Sequence, residues 1–221
     1  MKDKLSYKVE KTLPQPVFYY NFNDLEGVKV EGAEIKTFSV KGTDERSHLD
    51  FPDETAYAEI DLATNKKNNE LQNFTFEMWF MKSSSDGTIV DIGNWRLDTT
   101  SGRFNISNDG NNYSVNFSAE VEGNWSHLAI VSSADGSNIY LNGKHLGDFP
   151  SNLTLDMQDK LTLGKGFSGS VDELRLYNRA LPFQLIGFDV PSDYFISLPV
   201  INYINSSQNQ GDLWSFQVGM I

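Results

Sequence analysis

The sequence predicts an all-β protein, a sandwich or barrel of antiparallel strands. Three observations predict it. Apolar residues recur with a period of two, the strand period. Turn-forming pairs recur roughly every 8–12 residues between about Phe74 and Tyr177. No long stretch carries the helical period.

The strands follow in chain order. Val17-Phe18-Tyr19-Tyr20-Asn21-Phe22 is rich in strand formers, and Tyr57–Leu62 is a further strand within the polar segment 44–69. In Phe74–Met81, Phe74, Phe76, Met78 and Phe80 face one way, while Thr75, Glu77, Trp79 and Met81 face the other. Trp125–Val131 is another strand. Gly169–Tyr177 is the last of the regular series, with Val171, Leu174 and Leu176 available to the core. The odd step from Val171 to Leu174 predicts a bulge there. Asn142-Gly143 lies between Asn138–Leu141 and Lys144–Leu146 and predicts a tight hairpin, because both central residues of a type I′ turn need positive φ. Asp135-Gly136, Asp86-Gly87, Asn108-Asp109-Gly110 and Ser101-Gly102 mark further turns. Residues 178–188 have room for one short turn of helix, limited by Pro182, and 65–70 read as an exposed loop. After Pro191 the chain changes character. Two strand-like runs, 194–204 and 213–218, flank a polar stretch and suggest a hairpin that packs on the main domain (1–190) or on a neighbouring chain.

Composition narrows the function classes. The 221 residues carry a net charge of −12, which disfavours nucleic acid and anionic membranes as partners. Cysteine is absent, which excludes disulfides, zinc–thiolate sites and thiol catalysis, and His48, His127 and His145 are too few for a His-rich metal site. No window approaches the roughly 18 apolar residues of a membrane span. Met1-Lys2-Asp3-Lys4 leads into polar sequence, so no secretory signal is read in the chain as it stands. The N-x-[ST] sequons, several inside strands, are read as chance in an Asn- and Ser-rich chain.

Four stretches resemble the laminin-G-like, concanavalin A-like jelly-roll domains of bacterial surface and carbohydrate-active proteins. They are Tyr19–Gly27, Phe74–Phe80, Trp125–Val131 running on to Ile139–Gly143, and Phe167–Leu181, in the family's order. The last is the most specific, through Gly169-Ser170-Val171-Asp172-Glu173-Leu174-Arg175-Leu176-Tyr177-Asn178-Arg179-Ala180-Leu181. The resemblance covers about residues 17–188 and implies two antiparallel sheets packed face to face. It also implies a structural Ca²⁺ held by Asp24, with Asn23 and the Gly27 carbonyl, and by Asp172. The alternative for these residues is that Asp24 caps a turn and Asp172 is a solvated strand residue. His127 sits where the family places a packed or hydrogen-bonded polar group.

Sugars bind through aromatic faces and a few planar polar groups that fix hydroxyls. Asn94-Trp95-Arg96 beside Asp86, and the turn carrying Asn111 and Tyr113, offer that kit, although Trp95 also suits core packing and the amides suit turns. Trp79 and Trp125 read as packing residues. Laminarinase-like enzymes on this fold carry E-x-D-x-x-E, whose two carboxyls sit about 5–5.5 Å apart in retaining hydrolysis. Here Glu59-Ile60-Asp61-Leu62-Ala63-Thr64 places Thr64 where the second Glu belongs, so the paired-carboxylate mechanism lacks a partner. Ser126 and His127 point to opposite faces of one strand, no G-x-S-x-G elbow occurs, and no helix follows Gly164-Lys165-Gly166. The expectation is a non-enzymatic carbohydrate-binding or adhesion module with structural Ca²⁺, located outside the cell, on the cell surface or on a virion. One alternative is an assembly component displaying a lectin-like head, with residues 194–218 pairing neighbouring chains. A glycosidase ranks third.

Overall fold

The structure is a computed structural model. It describes residues 14–38, 46–62, 70–83, 85–117, 121–149, 153–157 and 160–186. Of the exposed loop expected at 65–70, residues 65–69 lie outside the described residues, as does the hairpin expected over 194–218; Glu70 is exposed but opens a short strand.

Two large antiparallel sheets form a sandwich, as the sequence predicts. The first sheet is built from β1 (Phe18–Tyr20), β3 (Glu34–Phe38), β4 (Arg46–Phe51), β7 (Phe74–Lys82), β12 (Ser126–Ser133), β13 (Gly136–Leu141), β14 (Lys144–Phe149) and β17 (Gly169–Tyr177). Its order is β14-β13-β12-β7-β17-β4-β3, with β1 also paired to β17. The second sheet contains β2 (Val28–Glu31), β5 (Tyr57–Asp61), β8 (Gly87–Ile92), β9 (Trp95–Thr100), β10 (Arg103–Asn108), β11 (Asn111–Asn116) and β16 (Lys160–Leu163), ordered β11-β10-β9-β8-β16-β5-β2. A two-residue pair, β6 (Glu70–Leu71) with β15 (Leu155–Asp156), stands apart.

One core lies between the sheets. Alternation delivers Phe74, Phe76, Met78 and Phe80 of β7, Leu128 and Ile130 of β12, and Val171, Leu174 and Leu176 of β17 to its first wall. Ile89, Val90, Ile92, Trp95, Leu97, Phe104 and Ile106 supply the opposite wall. Each fully buried large apolar side chain stabilises the fold by roughly 1.5–3 kcal/mol relative to exposure. The strand 17–22 foreseen from composition is shorter than expected. Phe22 turns to φ +49, leaves the ladder and drops into the core.

Local chemistry sets the joints. Asn142 and Gly143 adopt φ +51 and +70, the conformation a type I′ hairpin requires between β13 and β14. Gly87 has a different reason to be glycine. It opens β8 rather than a turn of its own, and a Cβ there would lie 2.2 Å from the carbonyl carbon of Gly166. The bulge expected between Val171 and Leu174 is present: pairing with β7 shifts register between Asp172 and Arg175, and Glu173 takes φ +53. The helical turn expected after β17 is one 3-10 turn, Phe183–Leu185, entered through Pro182. The segment leading to it is pinned to β7, because Thr75 Oγ1 donates to the Arg179 carbonyl at 2.9 Å and accepts the Leu181 amide at 2.8 Å.

Candidate functional site

The loop residues expected to bind sugar do not converge. Trp95 is the clearest correction. It is the first residue of β9, points inward and is fully buried, with its ring 5.2 Å from that of Phe76. An indole inside the core has no face to offer a sugar. Arg96, one residue on, points outward by the pleat and pairs with Asp91 at 2.9 Å. Asn94 is a structural hub. Its Nδ2 donates to Asp109 Oδ2 at 2.9 Å and to Thr154 Oγ1 at 3.0 Å, and its Oδ1 accepts the Asp156 amide at 2.9 Å. Asp86 sits at the other end of β8, about 20 Å away along a six-residue strand. There it accepts the Ser101 amide at 2.7 Å and meets the buried Lys82 ammonium at 3.4 Å. Asn111 is exposed at the β10–β11 turn, while Tyr113 packs inward with its ring 5.1 Å from Phe149.

The residues expected at a metal are placed as follows. Asp24 is exposed in the β1–β2 loop and its Oδ1 accepts the Glu26 amide at 2.9 Å. Asn23 is exposed beside it, and Gly27 turns the chain into β2 at φ +74. Asp172 is buried in β17, not solvated, and its Oδ1 accepts the Glu173 amide at 2.8 Å. Carboxylate, amide and carbonyl oxygens are the donors a hard cation takes, so the residue types suit Ca²⁺. Among the described residues no group of three or more His, Cys, Asp or Glu is gathered to hold a metal.

The richest side-chain chemistry lies elsewhere, on the outward face of the first sheet. Register aligns His127, Trp79 and Asp172 across β12, β7 and β17. The next row aligns Ala129, Glu77, Arg175 and Tyr19, ending on β1. His127 Nε2 stands 3.7 Å from Glu77 Oε2. At the bulge, Glu173 gathers three partners. Tyr19 Oη donates to Glu173 Oε2 at 3.0 Å, the Arg175 guanidinium donates to the same oxygen, and Arg46 stands 3.7 Å from Oε1. The Arg175 guanidinium also lies 4.8 Å from the Tyr19 ring centroid. Burial and the Glu173 carboxylate push the Tyr19 phenol up to about 12. At the far side of this face, His48 packs edge-on to Trp125 at 5.3 Å and 5.7 Å from Phe38, and burial lowers its pKa. Sequence reasoning missed this cluster. The outward half of β7 and the odd step in β17 were its local signals.

The glycosidase-like stretch resolves plainly. Glu59 lies on β5 with its carboxylate 3.1 Å from Lys160 and 3.4 Å from Lys29. The hydrogen bond from Lys160 is the main cause that lowers its pKa.

Two antiparallel sheets in this order, closed around a single core, define a lectin-type jelly roll. The chain belongs to the concanavalin A-like lectin/glucanases superfamily, whose model matches residues 53–186, more than half of the sequence. It is similar to domain 4 of AbnA, a GH43 extracellular arabinanase from Geobacillus stearothermophilus, in complex with arabinotriose. The likeness has 17% identity and a TM-score of 0.59, over 79% of this chain and 98% of that one. It is also similar to the botulinum neurotoxin type G receptor binding domain (11% identity, TM-score 0.57, 82% of this chain and 51% of that one). A third likeness is to the botulinum neurotoxin serotype D ligand binding domain in complex with N-acetylneuraminic acid (14% identity, TM-score 0.54, 73% and 44%). The chain thus spans about half the length of the toxin domains it matches. At these identities the likeness establishes the fold. No curated protein matches the sequence.

Proposed function

We propose that the chain is a non-enzymatic carbohydrate-binding module that acts outside the cell, on a cell surface or on a virion. The observation that carries the reading is membership of the concanavalin A-like superfamily over residues 53–186. Two similar structures have sugars in their names, arabinotriose and N-acetylneuraminic acid, which supports a saccharide as the ligand class. The missing partner of Glu59 supports the non-enzymatic part. Retaining hydrolysis needs two carboxyls, and Thr64 stands where the second would belong, while Glu59 itself is engaged by Lys160 and Lys29. Among the described residues no helix is long and apolar enough to cross a membrane.

A glycan array probed with the full chain, with and without calcium, tests the reading. Binding to defined saccharides without release of reducing sugar supports it. A blank array in both conditions overturns it, and so does turnover of any arrayed glycan.

The proposal includes a structural Ca²⁺ held by Asp24, Asn23, the Gly27 carbonyl and Asp172. When bound, it would brace the β1–β2 loop against the last strand of the first sheet. Metal-stripped protein should gain melting temperature on addition of calcium, and Asp172→Asn should remove that gain. An unchanged melting temperature in the wild type takes the metal out of the proposal.

A further inference from the structure

Among the described residues the exposed large hydrophobics are Val17 and Tyr19, at 49% and 45% exposure. Tyr19 lies in β1 and Val17 just before it, with its amide bonded to the Leu176 carbonyl at 2.7 Å; two residues apart, they share one face of the sheet. Phe18 and Tyr20, their alternates, pack against the core. The apolar exposure of the described surface is thus concentrated at one edge strand of the first sheet.

Tyr19 is exposed and yet fixed at two points. Its hydroxyl is tied to Glu173 Oε2 at 3.0 Å, and the Arg175 guanidinium lies 4.8 Å from its ring centroid. Arg175 is buried, so it backs the ring from the protein side and leaves the other face to solvent. Glu173 can reach the phenol because the bulge turns it. A non-glycine residue at φ +53 inside a buried strand carries a backbone cost, and bulges re-aim side chains in this way. Arg46, about a quarter exposed, stands on the other oxygen of Glu173 and brings guanidinium donors to the rim.

We propose that the outward face of Tyr19, with Val17 beside it and Arg46 at its rim, is a saccharide-stacking platform that takes a neutral sugar ring. A phenol held in one orientation lays a C–H-rich sugar face on its open side at little entropic cost. The two guanidiniums, Arg46 and Arg175, are balanced by two carboxylates, Glu173 and Asp172, which leaves no cationic excess around the ring to select an anionic sugar. The inference rests on the carbohydrate reading above and gives it a site.

Calorimetric titration of the full chain with arabinotriose, maltotriose and N-acetylneuraminic acid tests it, with Tyr19→Ala, Tyr19→Phe and Tyr19→Trp as variants. For the neutral probe that binds the wild type, Tyr19→Ala should weaken binding about tenfold, while Phe and Trp retain it within a few-fold. Chemical-shift changes at the Tyr19 ring in the wild-type protein during the same titration supply a readout independent of variant folding. Binding equal to wild type in Tyr19→Ala, or an unmoved Tyr19 ring at saturation, overturns the platform and leaves the carbohydrate reading standing. A preference for N-acetylneuraminic acid over both neutral probes overturns the assigned class. Failure of all three probes and of a broad glycan array overturns the reading and the platform together.

Discussion

Replacing Trp95 separates a core residue from a binding residue. The indole is fully buried against Phe76, and its Nε1–H meets no acceptor among the described residues. Trp95→Ala removes the whole ring system and leaves a cavity between the sheets, which costs about 3–5 kcal/mol. For a chain of this size each kcal/mol lowers the melting temperature by about 2–4 °C, so the drop is about 6–20 °C. Trp95→Phe behaves differently. It loses the smaller part of the ring system, worth about 2 kcal/mol at roughly 0.8 kcal/mol per methylene-sized group. It also removes a buried donor without a partner, whose desolvation costs about 1–3 kcal/mol. The two terms offset, and the phenylalanine variant should stay within about 1–2 kcal/mol of wild type. Chemical denaturation with a tryptophan-independent probe such as far-ultraviolet dichroism gives both numbers. A Trp95→Ala protein of wild-type stability that has lost sugar binding would refute the placement of this side chain in the core.

Two further outcomes follow from the same structure. Asn94→Ala deletes three hydrogen bonds that tie the β8–β9 turn to Asp109, Thr154 and Asp156, at a cost of about 2–4 kcal/mol in denaturant unfolding; an unchanged midpoint would mean that these bonds contribute nothing net. Tyr19 predicts a loss of stability in alkali. Its pKa is raised in the fold to about 12 from 10.0, so its contribution is complete below about pH 10 and is lost as pH rises through about 12. Tyr20, Tyr57 and Tyr140 are raised as well, so the test is the difference between wild type and Tyr19→Phe. Urea midpoints of the two proteins should converge as pH climbs, and parallel curves would count against the Glu173 contact.

Much of the fold was legible because its causes are local. Strict alternation over 74–80 assigned β7 and its inward set, and Asn142-Gly143 fixed a hairpin through the φ signs those residues tolerate. The uneven spacing of Val171 and Leu174 announced a bulge before any partner strand was known. Solvent exposure was the weaker inference. Alternation says that Glu77 and Trp79 leave the core side, but both are buried all the same. The segment after β17 folds back onto this face, with Leu181 and Arg179 bonded to Thr75 and Phe183 against Tyr140. An outward residue is therefore not the same as a solvated one here.

The candidate site was misread for a related reason. Asn94, Trp95 and Arg96 follow a glycine turn, and three such residues in a row suggest one loop acting together. In the structure the strand begins at Trp95, so the pleat sends Trp95 inward and Arg96 outward, while Asn94 stays behind as the turn's anchor. A register slip of one residue would have reversed those two faces, and register is set by partner strands that a local sequence pattern does not show. The cluster around Glu173 was beyond local reading altogether, because Tyr19 and Glu173 are 154 residues apart in sequence. Only the pairing of β1 with β17 brings them together, and only the bulge turns the carboxylate toward the phenol. The run Asp172-Glu173-Leu174-Arg175, within the segment matched to the family, therefore also shapes the face around the exposed ring. Its Leu174 serves the core, its Asp172 binds the Glu173 amide, and its Glu173 and Arg175 hold Tyr19 from opposite sides of one contact.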